Sequence, residues 1–325
     1  MGTQDRFTVV IPLYNKEKEI QRAVKSVLNQ EFQEFEVIVI DDGSTDSGPK
    51  VVSTINDSRI RTIFQRNEGP SAARNRGIKE ARNQIIAFLD ADDEWKPGFL
   101  KAILRLKEKF AGAGAYATAY AIVLPSGKTV RPKYRHIPPY QWEGFIPSYF
   151  RSALGTPPVW TSAVAVPRVV FEDIGLFQVG IGMAEDKEMW ERIGIKYPIA
   201  FTQEIGATYF MNASNRVCNE HVHLYRERPF INTALNSIKK GEVSERIVFD
   251  LKEYISQLNL SLAANCVFNY DRPDKAREYV RKSFPKTIRV WIKKYLLRFV
   301  LLFPFRAIRL FWKLKTDVRQ LVKAK

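Results

Sequence analysis

Residues 85–95, IIAFLDADDEW, constrain the fold more than any other stretch of the chain. An apolar run over 85–89 stops at Asp90, Asp92 and Asp93. A short, wholly apolar run between polar segments reads as a parallel strand buried on both faces, which requires helices on either side of its sheet. Carboxylates placed where such a strand ends lie at the carboxyl edge of the sheet, where open α/β folds bind ligands. Anions packed that closely repel one another unless a positive charge joins them. A hard divalent cation carrying a diphosphate meets that need with oxygen ligands. Taken alone, the stretch also reads as a solvated acidic turn leading into a helix near Pro97.

The chain before it repeats the pattern. Residues 7–13, FTVVIPL, read as a first strand, and Tyr14-Asn15 breaks it. Asn15 is expected to cap a helix with Lys18 and Glu19 in its first turns. Ile20, Ala23, Val24, Val27 and Leu28 recur at helical spacing, so that helix lays one face on the sheet. Residues 35–40, FEVIVI, form a second strand running into DDGSTD at 41–46. Residues 61–64 make a short third strand, and Gly69-Pro70-Ser71 opens a helix holding Arg74 and Arg76. Strands joined by helical crossovers predict βαβ units and a parallel sheet. Farther on, the pattern predicts a helix over 100–110, strands over 115–123 and 160–166, and a Gly-punctuated loop over 171–182. A helix over 185–193 opens on two acids, as the helix dipole favours. Residues 131–160 are rich in proline and aromatics, and 225–285 read as helices punctuated by Pro229 and Pro273.

A chain of 325 residues is long enough for a large α/β domain plus an appendage. The cysteines, Cys218 and Cys266, make no disulfide framework and are not spaced as metal ligands, which fits a reducing compartment. No basic segment precedes the first apolar run, so no signal peptide is expected. No G-x-G-x-x-G follows the first strand, which argues against a dinucleotide fold. Pro12-Leu13-Tyr14-Asn15 also lacks the Gly-rich loop that cradles phosphates. Asp41 and Asp42 fall on the same sheet edge as Asp90 and Asp92, where a carboxylate can accept a base N–H or ribose hydroxyls. An Asp-Gly turn is the alternative for that pair. A charge pair at a helix N-terminus is the alternative for Glu185-Asp186.

Five motifs in order, FTVVIPLYNKEKEI, VIVIDDGSTD, GPSAARNRGI, IIAFLDADDEW and AEDKEMW, resemble the family 2 glycosyltransferases with the GT-A fold. The resemblance spans about residues 6–215. It implies a Rossmann-like, mixed but mostly parallel sheet flanked by helices. Residues 1–105 would form the nucleotide-sugar half, 106–224 the acceptor half, 225–285 a helical extension and 286–325 a basic membrane-interface segment. By the resemblance, Pro12, Tyr14 and Glu17 line the nucleotide site, and Asp42 bonds the base with Ser44 beside it. Arg74 and Arg76 approach the nucleotide sugar. Asp90 and Asp92 match the D-x-D motif whose last acid holds Mn²⁺ or Mg²⁺ on the diphosphate, with Asp93 as an extra acid sharing that role. Asp186 matches the catalytic base, with Glu185 as a neighbour that raises its basicity. Many members carry a histidine after a late strand. Here Asn212 stands at that place and His221 and His223 follow, which leaves a further metal contact open among them.

The implied activity is inverting, metal-dependent transfer of a sugar from a nucleoside diphosphate to a hydroxyl. The resemblance points first to a uridine diphosphate donor, although Asp42 could equally read guanine. A polyprenyl-phosphate sugar synthase is the alternative enzyme, and a non-catalytic sugar-binding membrane scaffold the alternative class.

The net charge of +16 gathers at one end. Residues 286–325 carry twelve Lys or Arg against one acid, leaving only +5 for the rest of the chain. Residues 291–312, WIKKYLLRFVLLFPFRAIRLFW, contain no charge-free run near the ~20 residues a spanning helix needs. Pro304 is expected to split them into two amphipathic helices suited to an anionic membrane surface. Packing, an oligomer contact and nucleic-acid binding are the other readings, and no nucleic-acid motif accompanies the charge. The expected place is the cytoplasmic face of a membrane, held peripherally, with a lipid-linked or envelope glycan as acceptor. A homo-oligomer stays open.

Overall fold

The computed structural model describes residues 6–181, 184–214, 228–270 and 272–303. The chain divides into two compact units, Met1–His221 and Val222–Lys325.

The first unit opens with alternating strands and helices: β1 Phe7–Leu13, α1 Ile20–Leu28, β2 Phe35–Asp41, α2 Gly48–Ser53, β3 Ile60–Phe64, α3 Pro70–Glu80 and β4 Ile85–Phe88. It continues with β5 Glu94–Trp95, α4 Phe99–Lys109, β6 Ala115–Val123, β7 Thr129–Val130, β8 Glu143–Phe145 and α5 Tyr149–Ala153. A 3₁₀ turn over Thr161–Ala163 leads into β9 Val164–Pro167, α6 Arg168–Ile174, α7 Glu185–Lys196 and β10 Ile199–Phe210. The strands form one sheet in the order β3-β2-β1-β4-β9-β6-β10-β5, with β7 beside β6 and β8 beside β10. β3, β2, β1 and β4 are mutually parallel, β9 runs against both β4 and β6, and β10 is parallel to β6. The sheet is therefore mixed and mostly parallel, and β1, β2, β4, β6 and β10 all end on one edge. Val9, Ile11, Val37 and Val39 face one buried layer, while Val10, Ile38, Ile40 and Phe88 face the other. This period of two explains why these strands are apolar throughout.

Two local departures from the sequence reading have clear causes. Asn15 does not cap α1: Glu19 precedes that helix, and Asn15 takes a left-handed φ of 51°. Asn tolerates that conformation because its short amide can bond locally. The expected strand over 160–166 is shortened to β9 by the 3₁₀ turn, whose Thr161 and Ser162 side chains bond two acids described below.

Close packing fixes the register of α3 on the sheet. A Cβ placed on Gly77 would overlap the Val10 side chain on β1. Gly77→Ala is expected to cost about 1–3 kcal/mol through overpacking. Urea unfolding of the variant should show a lower midpoint at an unchanged slope.

The second unit contains α8 Pro229–Lys239, α9 Glu245–Phe268, α10 Pro273–Lys282 and α11 Ile288–Val300. Pro229 and Pro273 each occupy the first helical position, where the missing N–H costs nothing. Tyr254, Ile255, Ala263 and Cys266 of α9 are buried, as are Tyr279 and Val280 of α10 and Val290 and Leu297 of α11. The buried Glu253 carboxylate accepts from Lys286 N (2.7 Å), Thr287 N (3.3 Å) and the Thr287 hydroxyl, which ties the start of α11 to α9. α11 is the first of the two helices expected in the basic segment; residues beyond Phe303 lie outside the described ones. Among the described residues no helix is long and apolar enough to cross a membrane.

Candidate active site

The loops after β1, β2, β4 and β10, and the turn before β9, meet at the carboxyl edge of the sheet. The first two are sewn together. Asn15 Oδ1 accepts from Thr45 N (2.8 Å) and Asp46 N (3.3 Å), and Asn15 N donates to Ser44 Oγ (3.1 Å). Glu17 N donates to Asp46 Oδ2 (2.9 Å), and Glu17 Oε2 accepts from Ser47 N (3.0 Å). Glu17 and Ser44 thus serve the shape of the rim. Tyr14 stands 46% exposed beside it, and Pro12 lies opposite Ile40 in the β1–β2 ladder.

Asp42 is buried and holds the next loop in place. Its carboxylate accepts from Gln65 Nε2 (2.7 Å), Glu68 N (3.0 Å) and Gly69 N (2.8 Å). Gly43 lets that loop pass: its φ is 76°, and a Cβ there would lie 2.9 Å from Asn67 N. Three bonds leave about one acceptor position on the Asp42 carboxylate. Asp41 turns its Oδ1 to Ser44 N (3.1 Å).

The acids of the two distant motifs come together on one arginine. Arg74, buried on α3, donates through Nη2 to Asp90 Oδ1 (2.9 Å) and through Nη1 to Glu185 Oε1 (3.0 Å). Its guanidinium lies 5.6 Å from the centre of the Phe177 ring. Burial works against the Arg74 charge, yet Asp90 and Glu185, with Asp186 beyond, hold the guanidinium above the usual arginine range. Asn75 clamps the segment leading to α7 by exchanging two bonds with the Phe177 backbone, 2.8 and 2.9 Å. Arg76 is not brought to this place. Residues two positions apart in a helix point about 160° away from each other, and Arg76 pairs with Glu80 at 2.9 Å with half its side chain exposed. The expectation that both arginines approach one sugar thus meets the geometry of α3, which delivers only Arg74 to the acids.

Asp92 lies on the other side of Asp90 in the motif. Its Oδ2 accepts from Lys16 Nζ at 2.8 Å, and the same ammonium donates to the Ser214 carbonyl. Ser214 N and Oγ both donate to Glu19 Oε1, at 2.9 and 2.8 Å, so the chain after β10 is tied to the loop after β1. Burial pushes the Asp92 carboxyl up, Lys16 pulls it down, and Asp90 adds to the rise. Burial likewise raises Glu185; Arg74 opposes this and Asp186 reinforces it.

Asp186 sits at the start of α7, just after Ala184, whose φ of 63° is left-handed. Such backbone is uncommon for a side chain with a Cβ and turns the helix start sharply. Asp186 Oδ2 accepts from Thr161 Oγ1 (3.0 Å), and Oδ1 from Lys187 N (2.8 Å). Thr161 and Lys16 were not singled out from the sequence. Lys16 had a signal in its place directly after Asn15, whereas nothing local marks Thr161.

Asp93 has a different post from the metal role expected of it. It is buried, and its carboxylate accepts from Ser162 Oγ (2.5 Å), Trp160 Nε1 (3.2 Å) and Phe210 N (3.2 Å). Those bonds join the β4–β5 turn to the turn before β9 and to the end of β10. Burial, with Asp92 and Asp90 close by, pushes its carboxyl well up. Asp93→Asn would set an amide N–H against one of these donors, leaving a buried group poorly paired at a cost of about 1–3 kcal/mol. A thermal melt should register this as a fall of several degrees.

Asn212 is exposed just past β10, while His221 and His223 lie outside the described residues. Among the described residues no group of three or more His, Cys, Asp or Glu is gathered as a metal cage. The donor set nonetheless suits a cation that arrives with a diphosphate. Mg²⁺ is commonly held by one or two carboxylates plus substrate phosphates. Asp90 and Asp92 each engage a protein cation through one oxygen, Oδ1 and Oδ2 respectively, and are hard oxygen ligands.

A mixed sheet of this order, with acids along its carboxyl edge and helices on both faces, is the architecture of GT-A type glycosyltransferases. The family model for glycosyl transferase family 2 matches residues 8–174, and the chain belongs to that family. It is 33% identical over 195 residues to an uncharacterized glycosyltransferase of Rickettsia felis, a match covering 60% of this chain and 31% of that protein. It is 40% identical over 125 residues to the succinoglycan biosynthesis protein ExoO of Rhizobium meliloti, covering 38% and 36%. The matched stretch thus spans about a third of these curated relatives. Among solved structures, TarS 1–349 of S. aureus in complex with UDP-GlcNAc superposes with a TM-score of 0.69 at 17% identity, over 97% of this chain and 92% of that one. The mannosyltransferase PcManGT of Pyrobaculum calidifontis, solved with GDP-Man and Mn²⁺, gives 0.59 at 18% identity, over 100% and 89%. At these identities the likeness is one of fold.

Proposed function

We propose that this enzyme transfers a sugar, with inversion, from a nucleoside diphosphate to a hydroxyl of a lipid-linked or envelope glycan. The observation that carries the reading is the Asp90–Arg74–Glu185 bridge, which unites acids 95 positions apart at one sheet edge. The rim of Tyr14, Glu17 and Ser44 receives the nucleotide, and the remaining acceptor position of Asp42 takes a base N–H. Asp92 and Asp90 would hold Mn²⁺ or Mg²⁺, which when bound supplies charge neutralisation to the departing diphosphate. Asp186, oriented by Thr161, takes the proton of the acceptor hydroxyl. As that proton leaves, the acceptor oxygen bonds to the anomeric carbon from one face. The bond from that carbon to the diphosphate oxygen breaks on the other face, and its electron pair leaves with the nucleoside diphosphate. Glu185 stays engaged with Arg74 and keeps the base region anionic.

The GDP-Man and Mn²⁺ of the PcManGT structure and the succinoglycan biosynthesis of ExoO support, respectively, a metal-bearing donor and a role in polysaccharide biosynthesis. The reading places the enzyme peripherally at the cytoplasmic face of a membrane, with residues 286–325 meeting anionic lipid. That basic, apolar segment also favours a second reading, in which polyprenyl phosphate is itself the acceptor. Incubation with UDP-, GDP- and dTDP-sugars, Mn²⁺ and either lipid-linked glycans or polyprenyl phosphate separates them. Glycan product of inverted anomeric configuration by NMR is expected. Transfer to polyprenyl phosphate alone would select the second reading, and retained configuration would overturn the mechanism.

A further inference from the structure

Helix α11 carries three distinct arcs. Successive residues advance by about 100° around an α-helix. Val290 and Leu297 form a buried seam, and Leu301, just past the helix, continues it. Opposite that seam, Ile288, Ile292, Leu296 and Phe299 stand between 49% and 79% exposed. Trp291 and Tyr295 border the same arc and stack with ring centres 4.0 Å apart. Leu302 and Phe303 carry it beyond the last turn, also exposed. The exposed apolar arc spans about 140° on a helical projection. Cations fill both gaps between the arcs: Arg289 and Lys293 on one side, Lys294 and Arg298 on the other. Residues 286–303 contain five Lys or Arg and no acid.

We infer that α11 lies in the plane of an anionic membrane leaflet, its exposed arc sunk among the acyl chains and its two basic borders at the phosphate level. The inference deepens the membrane reading given above by assigning the contact to this helix and this face. An apolar stripe of that width left in water is costly, and eight large side chains on one side do not belong to the core of the unit. The borders decide between occupants. A second copy docked face to face would bring like charges together along both edges of the stripe with no acid of α11 to answer them. Anionic headgroups answer both borders at once, and each Lys or Arg near such a surface contributes about 1 kcal/mol, or about fivefold in partitioning. Burial and the adjacent Arg289 already push the Lys293 ammonium down, a crowding that a phosphate would relieve. Trp and Tyr at the edge of the arc have the amphipathic rings favoured at headgroup depth. Held this way, the helix would attach the enzyme to one leaflet without crossing it, suiting an acceptor carried in that leaflet.

The test is flotation of the full-length chain with vesicles of phosphatidylcholine alone or with one quarter phosphatidylglycerol, beside Leu296→Glu/Phe299→Glu and Arg289→Gln/Lys293→Gln. The wild type is expected to float with the anionic vesicles. The Leu296→Glu/Phe299→Glu variant should partition about 100-fold less, having lost apolar burial and gained anions. The Arg289→Gln/Lys293→Gln variant should lose about an order of magnitude at low salt and less at high salt. Melting temperature and nucleotide-induced stabilisation, measured on the same samples, should be unchanged in all variants. They keep a failure of attachment distinct from a failure of the transfer reading. Undiminished flotation of the Leu296→Glu/Phe299→Glu variant would overturn the inference by moving the contact elsewhere in the chain. So would a wild type that stays with the solvent, or one that sediments as a dimer which this variant makes monomeric.

Discussion

Asp186→Asn is expected to lower kcat by about 10²–10⁴-fold, the range that a positioned general base contributes, and to leave donor affinity unchanged. The substitution is nearly silent structurally. The Asn carbonyl can accept from Lys187 N, and its amide can donate to Thr161 Oγ1, since a hydroxyl accepts as readily as it donates. What disappears is the capacity to take a proton. Glu185 cannot stand in, because Arg74 engages it at 3.0 Å and the bridge fixes its direction. Glu185→Gln should therefore weaken the bridge and lower the melting temperature more than it lowers kcat. Steady-state kinetics with both variants decides the point. If Asp186→Asn kept kcat within tenfold of wild type while Glu185→Gln lost it, the base would be Glu185.

Arg74→Met carries the largest expected effect on stability. The side chain is buried, and removing its charge leaves Asp90 and Glu185 facing each other without a shared cation. Breaking one partner out of a buried charge network typically costs about 3–5 kcal/mol. For a domain of this size that is a fall of about 10 °C in Tm. Arg74→Lys keeps the charge but replaces the rigid fork, whose Nη2 and Nη1 each reach one acid, with a single ammonium on a flexible stem. It should recover part of the loss. Chemical denaturation of the three proteins checks the order wild type, Lys, Met. Equal stability of the Met variant would mean that the bridge is not what joins the D-x-D acids to the start of α7.

The parallel half of the sheet was legible because its signals were redundant. Apolar runs at Phe7–Leu13 and 35–40 each end at polar residues, and a strand buried on both faces has few other ways to appear in a sequence. Ala115–Val123 was read to the residue for the same reason. The acids at 90, 92 and 186 were legible as a set only through the resemblance, since each alone is a common turn or helix-start feature. The structure adds what periodicity cannot carry. Asp93 follows Asp92 directly, yet its three partners come from residues 160, 162 and 210, so its place is decided by tertiary contacts. The same contacts delay the strand expected from residue 160, which begins only at Val164. Arg74 and Arg76 were read together although a helix sends them to opposite sides, a distinction the spacing alone contained. For α11, the sequence gives an amphipathic pattern but not which apolar arc is buried; only packing against α9 shows that a second arc is left outward.

The account rests on a donor held through its diphosphate at Asp92 and Asp90. Thermal shift with UDP-, GDP- and dTDP-linked sugars, each with and without Mn²⁺, tests this directly in the wild type and in Asp92→Ala. A ligand bound only by the folded state at 100 times its Kd adds about 2.7 kcal/mol. The account predicts that one nucleotide raises Tm by several degrees, that it needs the metal to do so, and that Asp92→Ala abolishes the effect. The same rise without Mn²⁺, or undiminished in Asp92→Ala, would contradict it.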